Sequence, residues 1–153
     1  MKKLILTTLF GAAMCGSALA DEWLALGVTD GGKEWQFLNL ETIECEEKIC
    51  STWGGVINID PAKKFDTELV YYQYDCKRKM VKPIASVQYL REKIVNSIDF
   101  SNKYRPVVPG SVSAGHLKYV CGLKKATDED IVLVKSLAQM AKDIQPIMRR
   151  TKK

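Results

Sequence analysis

Four of the five cysteines lie after residue 20, and they limit the folds that the chain can adopt, because crosslinks between them would tie distant segments together. Cys45 and Cys50 flank a short polar stretch that is typical of a hairpin tip, so a local bridge between them is the economical pairing. This leaves Cys76 to pair with Cys121 and to close a loop of 46 residues, counting both ends. A zinc site needs paired close cysteine spacings, which are not present here. We therefore predict two disulfides and no metal centre.

The first 20 residues have the three parts of a secretory signal peptide. Lys2 and Lys3 precede an apolar run, and Ala18-Leu19-Ala20 forms a small-x-small cleavage site directly before Asp21. The uncharged run from Leu4 to Ala20 has 17 residues, whereas a membrane-spanning helix needs about 20. We predict export from a bacterial cytosol and cleavage after residue 20. The mature chain would then lie in the periplasm or on the outer cell surface.

A fifth cysteine, Cys15, lies at the end of the apolar run, where bacterial lipoproteins are cut and acylated. Met14 occupies the preceding position, where lipoproteins carry a small residue. This departure argues against a lipid anchor at Cys15.

The charge distribution argues against a nucleic-acid partner. Without the first 20 residues, which carry Lys2 and Lys3, the formal net charge falls from +5 to +3. The four cations of the C-terminal tail account for more than that excess, so the rest of the domain has a net charge near −1. A nucleic-acid binder would carry a broad basic surface.

Alternating apolar residues predict an antiparallel sheet in the first two thirds of the chain. Apolar runs at 23–28 and 35–40 flank Asp30-Gly31-Gly32, which supplies the positive φ of a hairpin turn. A third strand is predicted from about 49 to 59, with a bulge or bend at Gly54-Gly55, since glycine weakens a regular strand.

Two further strands follow. Val70, Tyr72 and Tyr74 alternate toward Cys76, which would then point into the core. After a turn at 77–79 the alternation resumes, and Pro83 predicts an edge strand or a bulge because proline cannot donate to a ladder. The segment from 90 to 100 fits both a strand and a helix, and its assignment stays open.

Two helices are predicted nearer the C-terminus. Ser111 or Ser113 would cap a short helix with Leu117, Val120 and Cys121 on one side, and Gly122 would end it. The acidic turn at 127–130 would open a second helix that runs from Asp128 to Ile144. Pro146 is expected to stop or kink that helix.

No arrangement of residues predicts catalysis or a cofactor. His116 is the only histidine, and the surrounding serines lack the glycine pattern of a hydrolase nucleophile. We interpret His116 as an exposed residue at a polar helix start, and a hydrolase that uses Ser113 and His116 is kept only as a hypothesis. The acidic pairs at 46–47 and 128–130 are interpreted as solvated charges. We predict a non-enzymatic protein.

Binding to a partner is the remaining class of function. Tyrosine and tryptophan dominate interface hot spots, and Tyr71 is the aromatic residue that we expect to be exposed. The basic tail is a second candidate contact, for an anionic surface or a protein. Its cations are Arg149, Arg150, Lys152 and Lys153.

Several short segments occur in a characteristic order along the chain. They are Trp23, Asp30-Gly31, Leu40 to Ile43, Trp53 before Val56 and Asn58, Asp75-Cys76, Val108-Pro109-Gly110-Ser111, and Val120-Cys121. Over about residues 23–122 the chain resembles the surface-adhesin protein E domain of Gram-negative bacteria. The resemblance implies an antiparallel sheet packed against a C-terminal helix, a bond between the two matching cysteines, and a dimeric surface adhesin. The Cys45 and Cys50 pair and about 30 residues after Cys121 depart from the family pattern.

The predicted architecture is an α+β fold, in which C-terminal helices pack an antiparallel sheet stapled by disulfides. It comprises a cleaved signal peptide at 1–20, an adhesin-E-like domain at 21–125, and a C-terminal helix with a basic tail at 126–153. The expected function is binding of a host extracellular-matrix protein, with a homodimer as one assembly. The alternative is a periplasmic accessory or structural subunit of a cell-envelope assembly.

Overall fold

The computed structural model describes residues 21–100 and 103–150, and residues 145–150 by their backbone alone. The predicted signal peptide with Cys15, and Lys152 and Lys153 of the tail, lie outside these residues. The strands are β1 (Asp21–Thr29), β2 (Glu34–Asn39), β3 (Glu44–Glu46), β4 (Ile49–Asn58), β5 (Thr67–Asp75), β6 (Met80–Leu90), β7 (Lys93–Asp99), β8 (Arg105–Pro106) and β9 (Ile131–Val134). The helices are α1 (Val112–Val120) and α2 (Leu137–Arg150).

The strands form one antiparallel sheet in the order β7-β6-β5-β4-β2-β1-β9, and β3 and β8 extend it by pairing with β4 and β6. The α+β class is therefore confirmed in its coarse form, as a mainly antiparallel sheet with two helices. The predicted first hairpin is confirmed, because β1 pairs with β2 across the glycine-containing turn.

Each face of the sheet carries a hydrophobic core. On one side, which we call the Leu24 face, the buried strand residues are Leu24, Leu38, Cys50, Tyr74 and Val81, and Leu117 and Val120 of α1 belong to the same cluster. On the other side, the Trp23 face, Trp23, Phe37 and Ile57 form a cluster with Leu137 and Ala141 of α2. The alternation of side chains along each strand produces these two sets.

The prediction of a bulge or bend at Gly54-Gly55 has no support in the pairing. β4 pairs without a register shift through both glycines, with β2 on one side and β5 on the other. A Cβ at Gly54 would lie 2.8 Å from Cε1 of His116, and one at Gly55 would overlap the side chain of Leu137. The missing side chains of these two glycines leave room for His116 on one face and for Leu137 on the other. The glycines do not change the direction of the strand.

A bulge does occur at Pro83, as the sequence predicts. The β5–β6 register shifts where Tyr71 pairs with Ala85 and Tyr72 pairs with Pro83, so Ile84 is the extra residue. Within the segment from 90 to 100, which fits both a strand and a helix by sequence, the structure has β7, which follows a tight turn at Arg91 and Glu92. Both turn residues have positive φ values. Because neither is glycine or asparagine, the sequence carries no ordinary hairpin signal there.

The predicted helix from Asp128 to Ile144 is wrong in its first half. Residues 128–130 form a single 3-10 turn, and Ile131–Val134 form β9, which pairs with β1. The apolar and largely β-branched run suits a strand, and the free edge of β1 supplies its hydrogen-bonding partner. The helix instead begins after Ser136, whose Oγ accepts the Gln139 backbone N–H at 3.1 Å. It continues through Pro146, so of the predicted stop or kink the stop does not occur.

The predicted ends of α1 are confirmed. Ser111 Oγ accepts the Ala114 backbone N–H at 3.2 Å, which caps the first turn. At the other end Gly122 has a φ of +67°, and the Leu123 N–H donates to the Lys118 carbonyl at 2.8 Å. This is the Schellman arrangement, in which a left-handed residue lets the last carbonyls of a helix find donors.

Both predicted disulfides, Cys45–Cys50 and Cys76–Cys121, are present. The first closes the β3–β4 hairpin, and the second joins the end of β5 to the end of α1. Disulfides are typical of oxidising compartments outside the cytosol, which agrees with the predicted export. Among the described residues no helix has the length and apolar character needed to cross a bilayer.

The two disulfides should contribute unequally to stability. Replacing Cys76 and Cys121 together by serine should lower the free energy of unfolding by about 4 kcal/mol, because the long loop restricts the unfolded chain most. The matched Cys45→Ser and Cys50→Ser pair should cost about 2 kcal/mol. Urea unfolding of the three proteins measures both values. Equal losses would contradict the account.

The space requirement at the central glycines gives a second prediction. Gly54→Ala and Gly55→Ala should each lower the free energy of unfolding by about 1 to 3 kcal/mol, because the new methyl group meets a buried side chain. Gly115→Ala in α1 is the matched control, since its Cβ would approach nothing closer than Leu26 at 4.0 Å. The control should stabilise the protein by about 0.5 to 1 kcal/mol through helix propensity. Destabilisation by the control alone would contradict this assignment.

Candidate functional site

The Trp23 face carries an aromatic pair at the margin of the cluster that includes α2, against which Trp53 packs. Trp53 of β4 lies directly opposite Tyr71 of β5, and their ring centroids are 5.1 Å apart with a 40° tilt. Both side chains are half-buried. Such an offset pair is held in place by its neighbours and still presents ring surface to solvent.

A polar and cationic group continues this surface along the strands. Gln73 follows Tyr71 on the same face and pairs with Lys82 of β6. The Tyr104 hydroxyl donates to Gln73 Oε1 at 2.8 Å, and Lys82 Nζ lies 4.8 Å from the Tyr104 ring centroid. Together these five residues form one continuous surface, which we call the aromatic patch.

Arg78 borders the aromatic patch and has a carboxylate partner. Its guanidinium lies 5.5 Å from the Tyr104 ring centroid, and its Nε donates to Asp75 Oδ2 at 2.6 Å. The Arg78 backbone N–H and guanidinium hold the pKa of Asp75 below its ordinary value. Burial, and then the charge of Asp75, raise the pKa of Tyr104, so its hydroxyl stays protonated and can donate. Lys82 has no ion pair with any residue that the structure describes.

The structure separates the tyrosines that the sequence grouped. Tyr71 lies on the Trp23 face and is half-buried against Trp53, so it is less exposed than predicted. Tyr72 and Tyr74 point to the other face, and Tyr74 is fully buried. Arg149 and Arg150 lie in the last turn of α2, where only the backbone is described. The aromatic patch therefore rests on Tyr71, and the side chains of the basic tail lie outside the described residues.

The interpretation of His116 as an exposed residue is wrong. Its side chain is 2% exposed, and its Nδ1 lies 2.9 Å from the Tyr74 hydroxyl. The Tyr72 ring contacts it edge-on at 5.5 Å. The sequence contains the signal that was missed, because His116 precedes Leu117 and lies four residues before Val120, on the inner side of α1.

Burial lowers the pKa of His116 to about 4, and an interaction with the Phe37 backbone only partly offsets that shift. The imidazole is therefore neutral at pH 7. Burial also raises the pKa of Tyr74 well above its ordinary value, so its hydroxyl keeps its proton. Among the described residues His116 Nε2 has no hydrogen-bond partner of good geometry. The ring is thus a buried base that only a structural change could expose.

This geometry gives the hydrolase hypothesis no support. Catalysis needs a hydrogen bond between the serine nucleophile and its base. Within the described part of the chain, Ser113 makes no side-chain hydrogen bond to His116, whose Nδ1 lies against Tyr74. Among these same residues, no group of three or more histidine, cysteine, aspartate or glutamate side chains is arranged to hold a metal ion.

A cavity of about 260 Å³ lies beside the first turn of α2. Trp23, Leu69 and Tyr89 form part of its wall, and the carboxylates of Asp21 and Glu92 lie at its boundary. Glu92 also forms an ion pair with Lys142 of α2 at 2.9 Å. The cavity is therefore part of the contact between α2 and the β6–β7 turn.

Comparisons with models of protein families, with curated proteins and with solved structures find no match to this chain. The resemblance to the surface-adhesin protein E domain stays a prediction. The function must therefore be argued from the surfaces of this structure.

The buried imidazole predicts a loss of stability in mild acid. The unfolded state has a histidine pKa of about 6.5, so it binds more protons than the folded state between that pH and about 4. Lowering the pH through this window should reduce the free energy of unfolding by about 3 kcal/mol from His116. Urea unfolding at a series of pH values measures the slope.

His116→Gln is the comparison protein, because it keeps every carboxylate and removes the only histidine. The variant should lose the part of the slope between pH 6.5 and 4. The histidine ring proton signals of the wild-type protein should also show no titration above pH 5 in nuclear magnetic resonance spectra. A titration midpoint near 6.5 in the folded protein would contradict the assignment.

Proposed function

We propose that this chain is an exported, disulfide-bonded, non-enzymatic protein that binds another protein through the aromatic patch. The observation that carries the proposal is the Trp53–Tyr71 pair, which lies half-buried on the sheet face. Lys82, which has no ion pair among the described residues, lies on the same face. Tryptophan, tyrosine and arginine are the residues that dominate binding energy at protein interfaces. This patch combines all three types with Arg78 at its border.

Geometry supports an open patch on this face. In this proposal the two helices pack the sheet, one on each face, through Leu117 and Val120 of α1 and Leu137 and Ala141 of α2. An α-helix is about 10 Å wide, whereas seven strands spaced about 4.8 Å apart span roughly 30 Å. A single helix therefore covers only part of its face. In this proposal the aromatic patch lies on the remainder, at the margin where Trp53 packs against the cluster that includes α2.

The partner that we propose is a host extracellular-matrix protein, which follows from the resemblance to the surface-adhesin protein E domain. The free cation of Lys82 favours an acidic surface on that partner. A location on the outer cell surface, and a homodimer, belong to this version. The alternative partner is a component of the bacterial envelope, which would place the protein in the periplasm as an accessory subunit.

Truncation of the aromatic patch should weaken binding to immobilised extracellular-matrix proteins. Tyr71→Ala should reduce affinity about thirtyfold if Tyr71 is a hot spot worth about 2 kcal/mol. Tyr119→Ala is the matched control, because Tyr119 is also half-buried but lies on α1, away from the patch. Lys82→Glu should also reduce the affinity, whereas Lys135→Glu should leave the affinity unchanged. Equal affinity of all four variants and the wild-type protein would refute binding through the patch.

A photo-crosslinking residue at position 71, in cells, identifies the class of partner. A crosslink to added matrix protein on intact cells, absent when the probe is at position 119, supports the adhesin version. A crosslink to a bacterial envelope protein, with the chain confined to the periplasmic fraction, supports the alternative. Capture of no protein from position 71 in either setting would overturn the proposal.

A further inference from the structure

An apolar groove of about 300 Å³ lies on the opposite side of the molecule, beside α1. Its walls are the turn that carries Lys79, the loop after β8, one side of α1 and the segment that follows α1. The apolar lining residues are Val107, Pro109, Ala114, Leu117 and Leu123. The groove belongs to neither the aromatic patch nor the cavity beside α2.

Two exposed aliphatic side chains belong to this region, since Leu123 lines the groove and Val108 lies between the lining residues Val107 and Pro109. Val108 is 64% exposed and Leu123 is 67% exposed, among the highest values for large apolar residues in the described chain. Both lie on segments that hydrogen bonds hold in place. The Val107 N–H donates to the Lys79 carbonyl at 3.0 Å, and the Leu123 N–H donates to the Lys118 carbonyl at 2.8 Å. The folded chain therefore presents these side chains in a fixed arrangement.

The groove has a cationic rim. Lys79 and Lys118 are the charged residues among its lining, and no carboxylate lines it. Neither lysine forms an ion pair with any residue in the described ranges. Further exposed cations lie near the lining residues in the chain: Lys77, Arg105, Lys124 and Lys125.

Aliphatic side chains that project between unpaired lysines suit the boundary of a bilayer. Apolar residues enter the upper acyl region while cations contact anionic headgroups. A groove of about 300 Å³ is at the small end of ligand pockets. Leu123 lines the groove and Val108 lies between the lining residues Val107 and Pro109, and both side chains are exposed enough to enter the boundary of a bilayer.

We propose that this lysine-rimmed groove is a contact site for the surface of an anionic phospholipid bilayer. Val108 and Leu123 enter the headgroup boundary, and Lys79 and Lys118 contact the lipid phosphates. The site is separate from the aromatic patch, so it does not depend on the proposed protein partner.

The test uses the protein expressed from the 153-residue sequence and purified in the form that the cell produces after any processing. Intact mass records whether the N-terminal segment is cleaved or acylated, and any such group is the same in every variant. Co-sedimentation with vesicles of phosphatidylglycerol and phosphatidylcholine should exceed that with phosphatidylcholine alone. Added salt should reduce the binding, because it screens the lysines.

Four variants separate the groove from the rest of the surface. Leu123→Asp should weaken vesicle binding about tenfold by removing an inserted apolar side chain. Lys118→Glu should weaken it at least about fivefold by reversing a charge at the membrane. Leu133→Asp and Lys135→Glu are the controls, since Leu133 is 64% exposed and both residues lie near the β9 edge. The controls should bind as the wild-type protein does.

Circular dichroism and urea unfolding of each variant show whether the fold is retained. All four substitutions are at exposed positions, so unfolding midpoints should stay close to the wild-type value. No sedimentation with anionic vesicles, or equal sedimentation of the groove variants and their controls, would overturn the proposal. Groove-dependent dimers, or groove-dependent binding to acidic peptides without vesicle binding, would also overturn it.

Discussion

Two adjacent glycines at the centre of the sheet leave the space that side chains from both helices occupy. Successive residues of a strand point to opposite faces, so Gly54 opens the Leu24 face and Gly55 opens the Trp23 face. His116 of α1 and Leu137 of α2 lie over these positions. The buried His116–Tyr74 contact depends on this space, as does the cluster around Trp23. A side chain at either glycine would have to displace a residue that is almost fully buried.

The Cys76–Cys121 disulfide adds a covalent limit to the same arrangement. It ties the end of the strand that carries Tyr74 to the end of the helix that carries His116. It also lies next to the turn at 77–79 and to Leu123, which contribute to the lysine-rimmed groove. The crosslink, the buried polar contact and the groove are thus parts of one region.

The sequence predicts those parts of the fold that depend on local chemistry. The first hairpin follows from its glycines, the caps of α1 follow from Ser111 and Gly122, and the disulfide pairing follows from spacing. The errors occur where a distant partner decides the outcome. Ile131–Val134 becomes a strand because the edge of β1 is free, and Gly54 is present because of a histidine 62 positions later in the chain. For the same reason the sequence identifies Tyr71 as a candidate binding residue but does not predict its contact with Trp53.

The two proposed surfaces lie on opposite faces of one sheet, so contact of one surface with a bilayer determines the direction in which the other surface points. Tyr71, Gln73 and Lys82 belong to the Trp23 face, whereas Leu117 and Val107 at the groove belong to the core of the Leu24 face. A protein that rests on a bilayer through the groove therefore turns the aromatic patch away from the lipid. The antiparallel sheet and the crosslinked end of α1 hold the two surfaces in a fixed relation. Membrane contact would then present the aromatic patch to a partner without competing with it for the same residues.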